Sequence, residues 1–83
     1  MHAKIIAKIY SFARATTPGS LVLTVEWLAI DNSGLSGKMS TTVAGVRSAD
    51  ALRADLSVAL SEHLSVTHRA AYPVLRERDI VIL

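Results

Sequence analysis

The sequence contains no cysteine, so neither a disulfide nor a thiolate zinc site is open to this chain of 83 residues. Domains of this size bury a modest part of their surface, and many depend on disulfides, metals or association with other chains. Because disulfides are excluded, association becomes a more important source of stability. The length suits one domain, which we place over residues 1–83.

Long apolar runs are missing as well. The longest, WLAI at 27–30 and IVIL at 80–83, are much shorter than the roughly 20 residues of a membrane-spanning helix. We therefore expect no membrane span. The chain has no acid before Glu26, so its start is basic. A secretory signal requires an uninterrupted apolar stretch, whereas Lys8 and Arg14 interrupt the apolar residues here. The cellular location stays undetermined by these features.

Charged residues and aromatic rings are both scarce. Only 19% of residues are charged, with a net charge of +2, and four are aromatic. Hydrophobic residues nevertheless reach 51% and the mean hydropathy is +0.37, which is apolar for a small chain with much surface to cover. Because a subunit interface hides apolar side chains from water, we expect a homo-oligomer or a subunit of a larger protein assembly.

The clearest strand is residues 21–30, LVLTVEWLAI. Its odd-numbered residues are all apolar, as expected for side chains that face a core. The other side is also largely apolar, through Val22, Leu28 and Ile30. Glu26 lies on that side, and we expect it to pair with a lysine of a neighbouring strand, either Lys38 or Lys4.

Two further strands flank this one. Residues 3–13 alternate through β-branched and aromatic side chains, which places Tyr10 and Phe12 on the same side. A Pro-Gly pair at 18–19 fits the centre of a type II turn between the two strands. Residues 38–45, KMSTTVAG, form a weaker third strand.

A helix follows, with Ser48 as its N-cap, Asp50 in its first turn and an end near Leu64. Its apolar stripe consists of Leu52, Leu56, Ala59, Leu60 and Leu64. Its polar side carries Arg53, Asp55, Ser57, Ser61 and Glu62. Residues 65–78 are irregular around Tyr72-Pro73 and contain at most a short helical turn. Residues 79–83, DIVIL, form a last strand that lies beside the first strand or across a subunit boundary.

The predicted fold class is α+β, a small β-β-β-α-β meander sheet with one helix packed on one face. One helix cannot cover both faces of four strands, so the second face is left for a partner. The predicted interface consists of Val22, Leu28, Ile30, Ile80, Val81, Ile82 and Leu83.

Residues 31–40, DNSGLSGKMS, are the best candidate for a ligand loop, and they do not meet the requirements of one. A phosphate-binding loop needs four residues between its glycines and a helix after them, whereas Gly34 and Gly37 are separated by two and a strand follows. Asp31 and Asn32 lack the alternating oxygen ligands and closing glutamate of a calcium loop. We predict a hairpin loop.

The remaining candidates give no catalytic, cofactor or metal site. His63 and His68 are five residues apart, which separates them by about 140° on a helix, so they do not converge on one ion. No serine lies in a nucleophile motif. We therefore predict a protein that is not an enzyme and uses no cofactor.

The functional hypothesis is a structural or interaction domain that assembles with itself or a larger partner. Small, cysteine-free, apolar chains rich in Ala, Ser and Thr are common among virion components, so a capsid or tail role in a phage is one form of it. The alternative is a small nucleic-acid-binding accessory protein that contacts phosphates through Arg69, Arg76 and Arg78, with Tyr72 stacking on a base. Glu77 lies between Arg76 and Arg78, and Asp79 follows them, so the two acids reduce the net positive charge of this segment.

Overall fold

The computed structural model describes residues 3–45 and 48–83. Its elements in chain order are β1 (Ile5–Arg14), β2 (Ser20–Ala29), β3 (Ser36–Ala44), α1 (Ala49–Thr67), a short 3-10 helix (Glu77–Asp79) and β4 (Ile80–Ile82). The four strands form one mixed sheet in the order β3-β2-β1-β4. Helix α1 packs on one face of this sheet, which confirms the predicted α+β class and element order.

The first three strands form an antiparallel meander, and β4 returns to run parallel to β1. Ile80 lies opposite Ile5, and Ile82 lies opposite Ala7. Of the two placements predicted for the last segment, the one beside the first strand is correct. The predicted type II turn is also consistent with the geometry between β1 and β2, where Gly19 has a φ of 79°.

The regular alternation predicted for the first strand is wrong beyond Ile9. The β1–β2 register shifts there, because Ile9 lies opposite Val25 but Ser11 lies opposite Thr24, so Tyr10 is the extra residue of a β-bulge. A bulge reverses the side on which later side chains lie. Phe12 therefore lies opposite the buried Leu23, on the helix side of the sheet, rather than on the side of Tyr10.

The start of α1 is as predicted, and its end is later. The Ser48 hydroxyl accepts the Ala51 N–H at 3.1 Å, as an N-cap does. The helix continues beyond Leu64 to Thr67, and the hydroxyl of Thr67 donates to the C=O of His63 at 2.9 Å. Residues 65–67 are therefore helical rather than irregular, and the Ser65 hydroxyl also bonds within the helix, to the C=O of Ser61 at 2.8 Å.

The core lies between α1 and one face of the sheet. It consists of Ile5, Ala7, Leu23, Val25, Trp27, Ala29, Met39, Leu56, Leu60, Leu64, Tyr72, Leu75, Ile80 and Ile82. The predicted face of β2 and the predicted stripe of α1 are therefore confirmed. Ser61 is a correction, since it is buried rather than on the polar side of the helix. It borders Leu75, and its hydroxyl donates to the C=O of Val58 at 2.8 Å.

Candidate interaction surface

The side of the sheet that faces away from α1, here called the open face, carries a row of apolar side chains. The register places Ile6 of β1 between Leu28 of β2 and Val81 of β4. Leu28 is 49% exposed, Val81 is 42% exposed and Ile6 is half-buried, so all three side chains are in contact with water. Leu83 lines a shallow depression together with Ile6 and Leu28 and extends the apolar area. The row is the main apolar feature of the open face.

A row of charges crosses the open face beside the apolar row. Glu26 of β2 lies between Lys8 of β1 and Lys38 of β3 in the register. Its carboxylate oxygen is 3.9 Å from the Lys8 ammonium, while the ammonium of Lys38 lies 3.7 Å from the centre of the Tyr10 ring. The predicted partner of Glu26 was Lys38 or Lys4. Lys38 does lie opposite Glu26 on β3, but its ammonium lies over the Tyr10 ring, and β1 brings Lys8 rather than Lys4 opposite Glu26. The ion pair is therefore with Lys8.

The structure divides the seven residues of the predicted interface into two groups. Leu28, Ile30, Val81 and Leu83 are exposed, and Val22 is half-buried on the open face. Ile80 and Ile82 are buried in the chain's own core, because alternate residues of β4 point to opposite sides of the sheet. Ile6 was missed, although it alternates with the buried Ile5 and Ala7 and this pattern indicates the opposite face.

The loop at residues 31–40 is a turn, as predicted, and it is fixed by Tyr72. Asn32 and Gly34 both have positive φ angles, 68° and 75°, and the Ser33 N–H donates to the Asp31 carboxylate at 3.2 Å. The Tyr72 phenol donates to the other oxygen of Asp31 at 3.0 Å. Because Tyr72 is buried beneath this loop, it is not placed to stack on a base.

These contacts shift the acidity of both partners. Hydrogen bonding from the Ser33 hydroxyl, assisted by the Tyr72 phenol, lowers the pKa of Asp31. Burial raises the pKa of Tyr72, and the nearby Asp31 carboxylate raises it further. The cluster is therefore most favourable with an ionised carboxylate and a protonated phenol. It links the β2–β3 loop to the segment that follows α1.

The described histidines have different surroundings. His68 packs edge-on against Trp27 with the ring centres 5.2 Å apart, and its Nδ1 lies 2.8 Å from the Thr67 hydroxyl. His63 borders a depression between α1 and β3. No group of three His, Asp or Glu side chains within residues 3–45 and 48–83 is placed to hold a metal ion. His2 lies outside the described residues.

The three arginines proposed as phosphate contacts are exposed, and two of them line the same depression. Arg76 and Arg78 line a depression that also contains Glu77. The Arg76 backbone N–H donates to the Asp79 carboxylate at 3.1 Å. Arg69 lies in the segment after α1 and is not among the residues that line this depression. Contact of these arginines with nucleic acid stays a prediction.

Within the described residues, no helix combines the length and the apolar character that a membrane crossing requires. No protein-family model, curated protein or solved structure matches this chain.

Proposed function

We propose that this protein is a non-enzymatic assembly domain that associates with copies of itself or with a larger protein through the open face of its sheet. The observation that carries the proposal is the row in which the exposed side chains of Leu28 and Val81 flank the half-buried Ile6 on three adjacent strands. Monomeric proteins seldom leave contiguous apolar patches exposed unless a partner covers them.

The surroundings of the row suit a protein partner. Specific interfaces have an apolar centre and a polar rim. Here the charged row of Lys8, Glu26 and Lys38 borders the apolar row and contains both signs of charge. A surface with both signs favours another protein over a polyanion such as nucleic acid. A role as a phage capsid or tail component rests on composition and stays a prediction within this proposal.

The test compares two substitutions of exposed apolar residues. Leu28→Asp places a charge in the apolar row, whereas Val74→Asp places one on an exposed residue after α1. The parent, at tens of micromolar, should either exceed the monomer mass of 8.9 kDa or bind a hydrophobic dye. Leu28→Asp should reduce dye binding or the association that occurs through the open face, and Val74→Asp should preserve it. A monomeric parent that binds no dye would refute the proposal.

A further inference from the structure

Strand β3 forms an outer edge of the sheet along its whole length. It pairs with β2 on one side, and no strand of the described chain pairs with its other side. Its register with β2 runs from Ala44 opposite Ser20 to Ser36 opposite Leu28 without a shift. The result is a regular edge of nine residues, which is long enough to pair with another strand.

The hydrogen bonds at the two ends of β3 reveal which backbone groups are free. The Ala29 N–H donates to the C=O of Leu35, and the Gly45 N–H donates to the C=O of Gly19. In an antiparallel pair, residues that bond to the neighbour alternate with residues that point away from it. The odd-numbered residues of β3 therefore bond to β2. The N–H and C=O groups that point outward belong to Ser36, Lys38, Ser40, Thr42 and Ala44.

A second free edge in the sheet is protected, and β3 is not. Beyond Ala7, β4 no longer covers β1. That part of β1 has the bulge at Tyr10 and a cation at each end, Lys8 and Arg14. Bulges and basic side chains are devices that prevent edges from pairing. In β3 the one charged residue is Lys38, and its ammonium is held over the Tyr10 ring on the open face.

We propose that β3 pairs antiparallel with β3 of a second copy about a two-fold axis at Ser40, which joins the two sheets into one sheet of eight strands. In this register Ser40 lies opposite its counterpart, Lys38 opposite Thr42, and Ser36 opposite Ala44. All five residues with outward groups then find partners. A register centred on Lys38 would instead oppose two lysines and leave outward groups unpaired.

The charge pattern of β3 identifies the occupant as a second copy. A two-fold interface requires a surface that is complementary to itself. With Ser40 at the axis, the lysine of each strand faces a neutral threonine, so no like charges are opposed along the strand. An acidic or basic peptide would gain little from an edge that carries one charge in nine residues.

The helix layer is compatible with the same axis. Two depressions follow the boundary between β3 and α1, and Thr41, Ala59 and Glu62 line both. Val58 borders one depression and Val66 borders the other, and both valines are exposed. Val58 and Val66 lie four residues before and after Glu62. A two-fold axis that passes near Glu62 therefore directs Val58 of one copy towards Val66 of the other. Glu62 lies near the axis, but it is exposed, so water and salt screen the two carboxylates.

The size of this side of the molecule suits a reversible dimer. Nine residues of β3 extend for about 30 Å. The shortest dimension of the molecule is 19 Å, so one copy offers a side of at most about 600 Å², and two copies bury at most about 1,200 Å². This area is at the lower limit of specific interfaces. We expect the dimer to dissociate on dilution.

The β3 edge and the open face are different surfaces, so this inference does not depend on the proposed function. Leu28→Asp should leave the β3 pairing intact. Substitutions on β3 should leave the apolar row and its dye binding or partner binding intact. Failure of one proposal is therefore distinguishable from failure of the other.

The first experiment removes an outward N–H from β3. Thr42→Pro eliminates a group that is not bonded to β2, at an edge position where proline is compatible with a sheet. Thr42→Ala is the matched control, because it removes the same side chain and keeps the N–H. In sedimentation velocity across a concentration series, Thr42→Pro should weaken dimerisation about tenfold or more. Thr42→Ala should dimerise like the parent.

The second experiment measures the register and does not depend on the folding of the proline variant. Because the chain has no cysteine, Ser40→Cys and Lys38→Cys each introduce a single thiol. The α-carbons at position 40 of the two copies would be about 5.5 Å apart across the axis, which is within disulfide range. Those at position 38 would be about 14 Å apart along the strands, which is too far for a disulfide.

Mild oxidation should therefore cross-link the Ser40→Cys variant and not the Lys38→Cys variant. Three results would overturn the proposal. They are absence of the Ser40→Cys cross-link, equal cross-linking of both variants, and a parent that shows no dimer of its 8.9 kDa chain.

Discussion

The phenol of Tyr72 donates a hydrogen bond of 3.0 Å to the carboxylate of Asp31, which precedes it by 41 residues. The same phenol lies 3.2 Å from the Ser33 hydroxyl. These contacts connect the β2–β3 hairpin loop to the segment that brings the chain from α1 back to β4. The loop that most resembles a ligand site in the sequence is therefore bound to the protein's own tyrosine.

Replacing Tyr72 with phenylalanine should make stability less dependent on pH. The lowered pKa of Asp31 contributes stability at neutral pH that is lost as the pH falls through the folded-state value. The raised pKa of Tyr72 contributes stability that is complete below pH 10.0 and is lost as the pH rises through the folded-state value. Tyr72→Phe should remove the loss of stability that ionisation of Tyr72 causes at alkaline pH. It should remove only part of the loss of stability at acid pH, because Ser33 still bonds Asp31.

Thermal unfolding of the parent and Tyr72→Phe between acid and alkaline pH measures this effect. Tyr10→Phe is the control, because Tyr10 is exposed and the substitution keeps the aromatic ring over which the Lys38 ammonium lies. The control should follow the pH profile of the parent. Identical alkaline profiles for Tyr72→Phe and the parent would contradict the role assigned to the phenol.

The two faces of the sheet should respond differently to truncation of a side chain. Leu56 is fully buried in the core, so Leu56→Ala should lower the free energy of unfolding by about 2 to 5 kcal/mol. Val22 is half-buried on the open face, so Val22→Ala should cost less fold stability and should weaken assembly. Denaturant unfolding followed by the fluorescence of the single tryptophan, Trp27, measures the stability of both variants. Equal losses in the two variants would contradict this division of the faces.

The last strand should be essential to folding. Ile80 and Ile82 are buried, and the backbone of Asp79 accepts the Lys4 N–H at 2.7 Å. Deleting residues 79–83 should therefore abolish the folded state, as judged by circular dichroism. Ile82→Ser and Val81→Ser provide a finer comparison of adjacent residues on opposite faces. Ile82→Ser should lower the free energy of unfolding much more than Val81→Ser, because Ile82 is buried and Val81 is exposed. Similar losses of stability in the two variants would mean that β4 is not part of the core.

The elements of the fold were predictable because each has a local signal. Alternation in residues 21–30 assigned the buried side of β2, and Ser48 marked the start of α1. The β-bulge at Tyr10 has no such signal. It depends on how two strands pair over a distance, so the side on which Phe12 lies could not be obtained from alternation alone.

The composition of the candidate surface was only partly predictable for the same reason. Leu28 was assigned correctly from the alternation of its own strand. The contiguity of Leu28 with Ile6 and Val81 depends on the registers of two strand pairs. In the last strand, four consecutive apolar residues concealed the alternation, so Ile80 and Ile82 were not separated from Val81.

Sedimentation equilibrium of the untagged chain from a few to several hundred micromolar tests the central claim most directly. We expect a mass that rises with concentration above the monomer value of 8.9 kDa, because a single copy leaves both the apolar row and the β3 edge in water. A single monomeric species over the whole range would contradict self-association, and the absence of hydrophobic-dye binding as well would contradict the assembly role of the open face.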